Sequence, residues 1–207
     1  MDYVIGILIG YLLGSIPCGL VLVKAVCGID IRDYGSHNIG ATNVFRTVGA
    51  RMASFVLLGD LGKGALALCL TNHLVSSDLG VLLATAVAAL AGHSFSLFLH
   101  FKGGKGVATG LGILLYFMPE VSVFALTLWL AIVYVSRYVS LGSIAAAFAT
   151  PLAAYYLGYD YRLVVFTAFC AAVIIARHYE NMVRLVNGTE NKIKQGHFSK
   201  KNNTPKE

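Results

Sequence analysis

The sequence predicts an all-α integral membrane protein, on the evidence of its composition, its apolar runs and the charges between them. Of its 207 residues, 57% are hydrophobic and only 13% are charged, whereas soluble domains carry about 25% charged residues. Seven apolar runs are separated by polar segments, and a transmembrane helix needs ~20 predominantly apolar residues. We therefore expect about seven transmembrane helices.

The expected spans divide the chain into one transmembrane domain, residues 1–186, and a polar, basic tail, residues 187–207. The fourth and fifth spans are short for a crossing, which predicts tilt, local thinning or a partly re-entrant path. The seven predicted spans are 4–26, 53–74, 79–99, 107–117, 121–135, 141–157 and 163–183.

The basic residues predict the orientation of these spans. The first loop, the third loop and the tail each hold two or more Lys or Arg, and the fifth loop holds Arg137. The second and fourth loops hold none, and the sixth holds only Arg162. Because cytoplasmic loops are enriched in Lys and Arg, we expect the N-terminus outside and the C-terminus in the cytoplasm. The net charge of +6 is explained in the same way, so no nucleic-acid partner is expected. The start of the chain lacks a basic region, and no signal peptide is predicted.

A glycine-lysine loop lies between the third and fourth spans, with the sequence FKGGKGVAT over 101–109. Its glycines allow backbone N–H groups to converge on an anion, and the next helix adds the positive end of its dipole. Gly103, Gly104 and Lys105 are therefore candidates for binding phosphate. A glycine turn whose lysines mark the cytoplasmic membrane face is an equally good interpretation of the loop alone.

The first inner loop, GSHNIGATNVFR over 35–46, is dense in small hydrogen-bond donors. Hydroxyls, amides and one guanidinium in such a segment can surround an anion. We favour a binding site here over a simple solvated loop, because the polar residues alternate with apolar ones. The candidate residues are Ser36, His37, Asn38, Thr42, Asn43 and Arg46.

Three further polar clusters accompany the spans. Asp60 and Lys63 share a helix face, as a structural ion pair or as part of a phosphate site. Arg137 and Ser143 flank the start of the sixth span, where a hydroxyl can cap the helix or bind an anion. His178 and Asn181 share a face at the inner end of the seventh span and suit substrate orientation or proton transfer.

No metal site or cofactor is expected. The four cysteines form no CxxC and no close metal-ligand spacing, so buried free thiols are the simplest interpretation. The pair His73 and Asp78 has the spacing of a His-x4-Asp acyltransferase motif, but the predicted topology places it in an outer turn, away from every other cluster. We interpret that spacing as chance.

Five motifs together carry a resemblance that covers the chain from near its N-terminus to about residue 185. The chain resembles the bacterial membrane acyl-phosphate:glycerol-3-phosphate acyltransferases, the PlsY family. Small departures, at Cys18 and Met182, leave the polar motif residues unchanged. The motifs are GSIPCG at 14–19, GSHNIGATN at 35–43, GDLGKG at 59–64, FKGGKGVAT at 101–109 and HYENMVRL at 178–185.

The resemblance implies a seven-span inner-membrane enzyme with its active site on the cytoplasmic side. Such an enzyme transfers a fatty acyl group from acyl phosphate to the sn-1 hydroxyl of glycerol 3-phosphate, the first committed step of phospholipid synthesis. The products are 1-acyl-glycerol 3-phosphate (lysophosphatidic acid) and phosphate. Its partners would be the two substrates, membrane lipid and the soluble enzyme that makes acyl phosphate.

The resemblance also implies roles for single residues. Gly103, Gly104 and Lys105, with Thr42, would hold the acyl phosphate, and Lys105 would also stabilise the leaving phosphate. The residues that orient glycerol 3-phosphate would be Ser36, Arg46, Ser143, His178 and Asn181. The proton acceptor stays open between His178 and the donor's own phosphate oxygens.

Two other functions would explain part of the sequence. A phosphate-ester transporter would also need anion donors at membrane depth, but it should show inverted repeats and polar residues on both faces. A non-catalytic lipid-binding protein would account for the basic inner face but not for the donor-rich first loop.

Overall fold

The computed structural model describes residues 1–193, which form ten α-helices and no strand. Residues 194–207, most of the predicted tail, lie outside the described part. Two short 3-10 helices, Ile31–Asp33 and Leu97–Leu99, lie within the loops. The helices are α1 Asp2–Ser15, α2 Cys18–Cys27, α3 Ala41–Thr47, α4 Ala50–Leu74, α5 Leu79–Ser94, α6 Val107–Phe117, α7 Pro119–Ser136, α8 Val139–Tyr156, α9 Tyr161–Ala176 and α10 Tyr179–Val186.

The predicted class of all-α membrane protein is confirmed. Within residues 1–193, five segments are long and apolar enough to cross a membrane, and α9 with α10 makes a sixth if that bent pair counts as one span. The fourth predicted span is α6, an apolar helix of 11 residues. Its length of about 16 Å, at ~1.5 Å per residue, falls short of the ~30 Å hydrocarbon core. Seven crossings and the orientation of the termini stay predictions.

The first predicted span is broken into α1 and α2 at Ile16 and Pro17. Proline lacks the N–H that would bond the Leu13 carbonyl four residues earlier, and Ile16 N donates to that carbonyl instead at 3.2 Å. Lys63 Nζ donates a hydrogen bond to the Ile16 carbonyl at 2.7 Å and pairs with Asp60 Oδ1 at 2.8 Å. The side chains of Lys63 and Asp60 are 5% and 2% exposed, so this pair stabilises the helix break from inside the bundle.

Two other predicted boundaries need correction. The fifth span was expected to be short over 121–135, but α7 has 18 residues because Pro119 sits in its first turn, where proline suits a helix start. The seventh span was expected to be continuous over 163–183. It is instead bent by 59° between α9 and α10.

The helices pack as two groups, α1, α4, α5 and α6 in one and α7, α8 and α9 in the other. In the first group, α1 lies against α5 so closely that a Cβ on Gly10 or Gly14 would collide with the carbonyl of Thr85 or Ala89. Small residues are how membrane helices achieve such close packing. The two groups meet through α6 and α7 and through α5 and α9, and they enclose a cavity between them.

Candidate active site

The cavity between the two helix groups has a volume of about 580 Å³, within the range of ordinary ligand pockets. Its polar residues cluster where α6 and α8 begin and α9 ends, so they lie on one side of the bundle. The remainder is lined mainly by apolar side chains from α6 to α9. Ten of the predicted site residues line it, namely Ser36, His37, Asn38, Thr42, Asn43, Arg46, Lys105, Ser143, His178 and Asn181.

At the polar end, three side chains form a chain of hydrogen bonds from the glycine loop to the end of the described structure. Lys105 Nζ donates to Asn181 Oδ1, and Asn181 Nδ2 donates to Glu190 Oε1 at 2.7 Å. Glu190 also accepts from Ser140 Oγ and from Arg184 Nε, each at 2.8 Å. The carboxylate thereby fixes the orientation of the Asn181 amide, whose oxygen faces the lysine.

The charges at this end are shifted by burial and by each other. Burial lowers the pKa of Lys105 to about 8, an effect that the nearby Glu190 carboxylate partly opposes. For Glu190, burial disfavours the charge, but hydrogen bonds from Arg184, Asn181 and Ser140 outweigh it, so the pKa lies below its ordinary value. Near neutral pH this end therefore holds a cationic Lys105 and a carboxylate.

The glycine loop does not form the cradle of free amides that was expected of it. Gly103 N donates to the Ser94 carbonyl at 3.1 Å and Gly104 N to the His93 carbonyl at 3.0 Å. Neither glycine lines the cavity, whereas Lys105 does. The glycines allow close packing instead, because a Cβ on Gly104 would collide with the His93 ring.

Arg177 holds this loop from the other side, and no sequence motif had singled it out. Its guanidinium donates to the carbonyls of Gly103 and Gly104 at 3.2–3.3 Å and lies over the Phe95 ring at 5.3 Å from the centroid. Arg177 directly precedes His178, so one short segment both fixes the glycine loop and supplies a ring to the cavity.

His178 is oriented by its own helix. Its Nδ1 lies 2.8 Å from the Ile174 carbonyl, and because a carbonyl only accepts, Nδ1 must carry the proton. In the neutral ring, Nε2 is therefore the nitrogen that can accept a proton from a substrate hydroxyl. The imidazole is 3% exposed, which limits its reorientation.

The first inner loop is organised around Asn43, which is 1% exposed. Its Nδ2 donates to the carbonyls of Ile31, Tyr34 and Asn38, and its Oδ1 accepts from Ser36 N at 2.8 Å. We expected this amide to bind substrate, but its hydrogen-bonding capacity is already used within the loop. Asn43 instead places the backbone of Ser36 at the cavity.

Other side chains of this loop are partly committed as well. Asn38 Oδ1 accepts from Gly40 N at 2.9 Å, and His37 Nδ1 donates to the Arg32 carbonyl at 2.8 Å. Arg46 Nη2 donates to the Asn191 carbonyl at 2.8 Å, while the buried Arg46 Nε has no hydrogen-bond partner among residues 1–193. A buried guanidinium N–H without a partner beside Lys105 suits an anionic ligand.

The remaining predicted residues have other positions. Ser143 Oγ donates to the Val139 carbonyl at 3.0 Å and accepts from Trp129 Nε1 at 3.2 Å. Lys63 pairs with Asp60 at the helix break, outside the cavity lining, although Asp60 itself lines the cavity. Arg137 ends α7 on the surface, with its guanidinium over the Tyr134 ring, and does not line the cavity.

Residues near the start of the predicted tail line the cavity. Glu190 is 9% exposed, Asn191 lines the cavity, and Ile193 N donates to the Arg137 carbonyl at 2.8 Å. Sequence patterns gave no reason to place Glu190 here, because it follows the last apolar run in a polar stretch. Among the described residues, no cluster of three or more His, Cys, Asp or Glu could hold a metal ion.

Comparison with known proteins identifies the family. The family model described as glycerol-3-phosphate acyltransferase matches residues 4–188. A glycerol-3-phosphate acyltransferase of Trichlorobacter lovleyi is 47% identical over 184 residues, covering 89% of this chain and 94% of that protein. One from Fusobacterium nucleatum is 42% identical over 190 residues, covering 91% and 96%.

Two solved structures share the fold. Both are of PlsY (YgiH), an integral membrane glycerol 3-phosphate acyltransferase, in its glycerol 3-phosphate form and its lysophosphatidic acid form. Each is 38% identical to this chain, with TM-scores of 0.88 and 0.86. The first match covers 94% of this chain and 96% of that one, the second 93% and 95%. With its family model, its relatives and its fold in agreement, the chain belongs to the family of integral membrane glycerol-3-phosphate acyltransferases, enzymes of phospholipid biosynthesis.

Proposed function

We propose that the acyl donor is acyl phosphate and that the acceptor is the sn-1 hydroxyl of glycerol 3-phosphate. The products are then 1-acyl-glycerol 3-phosphate and inorganic phosphate. The observation that carries the proposal is the single cavity, which joins a cationic end at Lys105 and Arg46 to a long apolar section. An acyl phosphate has the same two parts, an anionic head and an apolar chain.

The chemistry needs no covalent enzyme intermediate, because the donor is already an activated mixed anhydride. The hydroxyl oxygen of glycerol 3-phosphate attacks the acyl carbonyl carbon, and the bond from that carbon to the phosphate oxygen breaks. Lys105, held by Asn181, neutralises the charge that develops on the leaving phosphate. Arg46 and the Ser36 hydroxyl bind the second phosphate, since both residues lie on the first inner loop and line the cavity.

The hydroxyl proton has two acceptors in this proposal. His178 presents Nε2 as its unprotonated nitrogen, fixed by the Nδ1 contact to the Ile174 carbonyl. A phosphate oxygen of the donor is the other acceptor. A His178→Gln variant that keeps substantial kcat would favour the phosphate oxygen, whereas a variant without activity and with unchanged binding of glycerol 3-phosphate would favour the imidazole.

The donor is tested by measuring phosphate release from purified protein in detergent or lipid. We expect release that depends on glycerol 3-phosphate when acyl phosphate is supplied, and little acyl transfer from acyl-CoA at the same concentration. The reason is that the polar clusters at the cavity are small and no segment at the inner face has a nucleotide-binding pattern. Comparable turnover with acyl-CoA would contradict the proposal.

The outer pair His73 and Asp78 supplies the control for the donor experiment. Asp78 Oδ1 accepts from Val81 N at 3.1 Å as the N-cap of α5, and His73 is exposed. We therefore expect His73→Ala to leave activity unchanged, and Asp78→Ala to lower stability by ~1 kcal/mol, the usual cost of losing a cap. Loss of activity in both would revive the His-x4-Asp interpretation.

We also propose that the polar end of the cavity faces the cytoplasm of a bacterial inner membrane, as the Lys and Arg distribution predicts. Membrane lipid surrounds the apolar helices, and the soluble enzyme that makes acyl phosphate is the expected protein partner at this face.

The orientation is tested by thiol labelling. In a cysteine-free background, Ser36→Cys and Lys102→Cys should react with impermeant thiol reagents only in inverted vesicles. Ser77→Cys in the outer turn is the matched control, which should react in intact cells. Ser36, Lys102 and Ser77 are all exposed. Labelling of Ser36→Cys and Lys102→Cys from outside would overturn the orientation.

A further inference from the structure

The apolar section of the cavity ends abruptly inside the bundle. Its deepest lining residues come from four different helices, α6 to α9, and lie at about the same level. We call this set the floor. The floor consists of Leu114, Ala125, Thr150 and Phe166.

One helical turn beyond the floor, the two helix groups are packed together without a gap. The next residues on the same four segments, three or four positions further on, form a single core cluster in which none is more than 8% exposed. This cluster consists of Met118, Val121, Ala154 and Leu163. The cavity is therefore closed at the end opposite its polar end, by residues of all four segments.

The floor is rigid. Phe166 is 6% exposed and packs edge-on against Phe117, with ring centroids 5.9 Å apart. Thr150 Oγ1 donates to the Ala146 carbonyl at 2.7 Å, so its hydroxyl is used within α8 and its methyl group is left for apolar contact. Close-packed side chains of this kind do not move aside for an extra methylene without strain.

The depth of the cavity matches one lipid chain. Ser140, which binds Glu190 at the polar end, and Thr150 at the floor are ten residues apart on α8. This is about 15 Å at ~1.5 Å per residue. Half of a ~30 Å hydrocarbon core is about 15 Å as well, so an acyl chain that spans one leaflet of the membrane would reach from the polar end to the floor.

We propose that the floor sets the upper limit of acyl chain length, with Thr150 and Phe166 as the residues that determine it. The proposal rests on the proposed function only in assuming that the acyl chain occupies this cavity, and it holds for any acyl donor. The alternative is that the acyl chain exits the cavity laterally into the surrounding lipid. Leu57 and Leu126 mark that route, because both line the cavity and are 44% and 43% exposed.

The test compares kcat/KM for saturated acyl phosphates of increasing length in a set of α8 and α9 variants. Thr150→Phe adds bulk at the floor, and we expect it to lower kcat/KM about tenfold or more for the longest donors that the unmodified enzyme accepts. Mismatch of a single methylene can already produce a tenfold difference. For the shortest donors, kcat/KM should stay within about twofold of its value in the unmodified enzyme. Ala147→Phe, one turn nearer the polar end, should exclude still shorter donors, and Phe166→Ala should admit longer ones.

Two matched controls distinguish an effect of the floor on chain length from a general loss of folding or activity. Leu152→Phe adds similar bulk to the lipid-facing side of α8, where Leu152 is 50% exposed, and should leave the length profile unchanged. Thr150→Val keeps the shape of the floor and should also leave it unchanged. If Thr150→Phe fails to fold, Thr150→Leu adds less bulk at the same position and should cause a smaller loss of kcat/KM for the longest donors.

Two outcomes would overturn the proposal. An equal loss for all chain lengths in Thr150→Phe and Ala147→Phe, or an unchanged profile in both, would mean that the chain does not end at the floor. A failure of the acyl phosphate assignment is distinguishable, because it would appear in the unmodified enzyme. The same length series with whichever acyl donor that enzyme uses would still test the floor.

Discussion

Replacing Lys105 with alanine should lower kcat by ~10²–10³, the effect of removing one donor from a charge-stabilising site. Lys105 is the predicted cation of the glycine loop that lines the cavity, and Asn181 fixes its ammonium there. An alanine would leave the leaving phosphate without this charge-assisted contact. The measurement is acyl transfer at saturating substrates, so that kcat is separated from KM.

Arginine should not fully restore activity at this position. The Lys105 ammonium donates to the oxygen of Asn181, in a space bounded by the loop that Arg177 holds through the Gly103 and Gly104 carbonyls. A planar guanidinium is larger and has a different donor geometry from a compact ammonium. Lys105→Arg would keep the charge but displace either Asn181 or the bound phosphate.

Lys102 provides the matched control for Lys105, since it belongs to the same loop but is exposed and does not line the cavity. Lys102→Ala should cost much less activity. If Lys102→Ala abolished kcat and Lys105→Ala left it unchanged, the assignment within the loop would be reversed. If neither mattered, the loop would be a membrane turn and the phosphate would lie elsewhere.

The sequence predicted those residues of the cavity lining that depend on local patterns. Lys105, His178 and Asn181 each stand out because a polar residue at the end of an apolar run is costly unless it has a role. The break between α1 and α2 could have been placed from Pro17, which cannot continue a helix. Each of these signals lies within a few residues of the feature it predicts.

The parts that could not be predicted depend on contacts between distant segments. The bend between α9 and α10 contains no proline or glycine, and Arg177 acts on a loop 73 residues away. The amides of Gly103 and Gly104 looked free in the sequence because their acceptors, Ser94 and His93, lie in a turn of the preceding helix. Glycine spacing indicates that backbones approach closely but not whether the partner is a ligand or another part of the chain.

Glu190 is the residue whose importance sequence patterns missed most, and its removal should have the second largest effect. Its carboxylate accepts hydrogen bonds from Asn181, Ser140 and Arg184, and hydrogen bonds to charged groups are each worth ~1.5–3 kcal/mol. Without it, the Asn181 amide is free to turn its NH₂ group toward Lys105. We expect Glu190→Ala to lower kcat/KM by ~10–10², since each ~1.4 kcal/mol is tenfold.

The pH profile distinguishes this role from simple loss of stability. Burial lowers the pKa of Lys105 to about 8 and the Glu190 carboxylate raises it, so activity should fall as pH rises through about 8 and Lys105 loses its proton. Glu190→Gln keeps the size of the side chain but removes the negative charge, which lowers the pKa of Lys105 further. The alkaline fall in kcat/KM should then begin at a lower pH than in the unmodified enzyme. A variant with reduced activity and an unchanged pH profile, or a profile shifted to higher pH, would show that Glu190 does not act through Lys105. Thermal unfolding of the same variant in detergent is the control for folding.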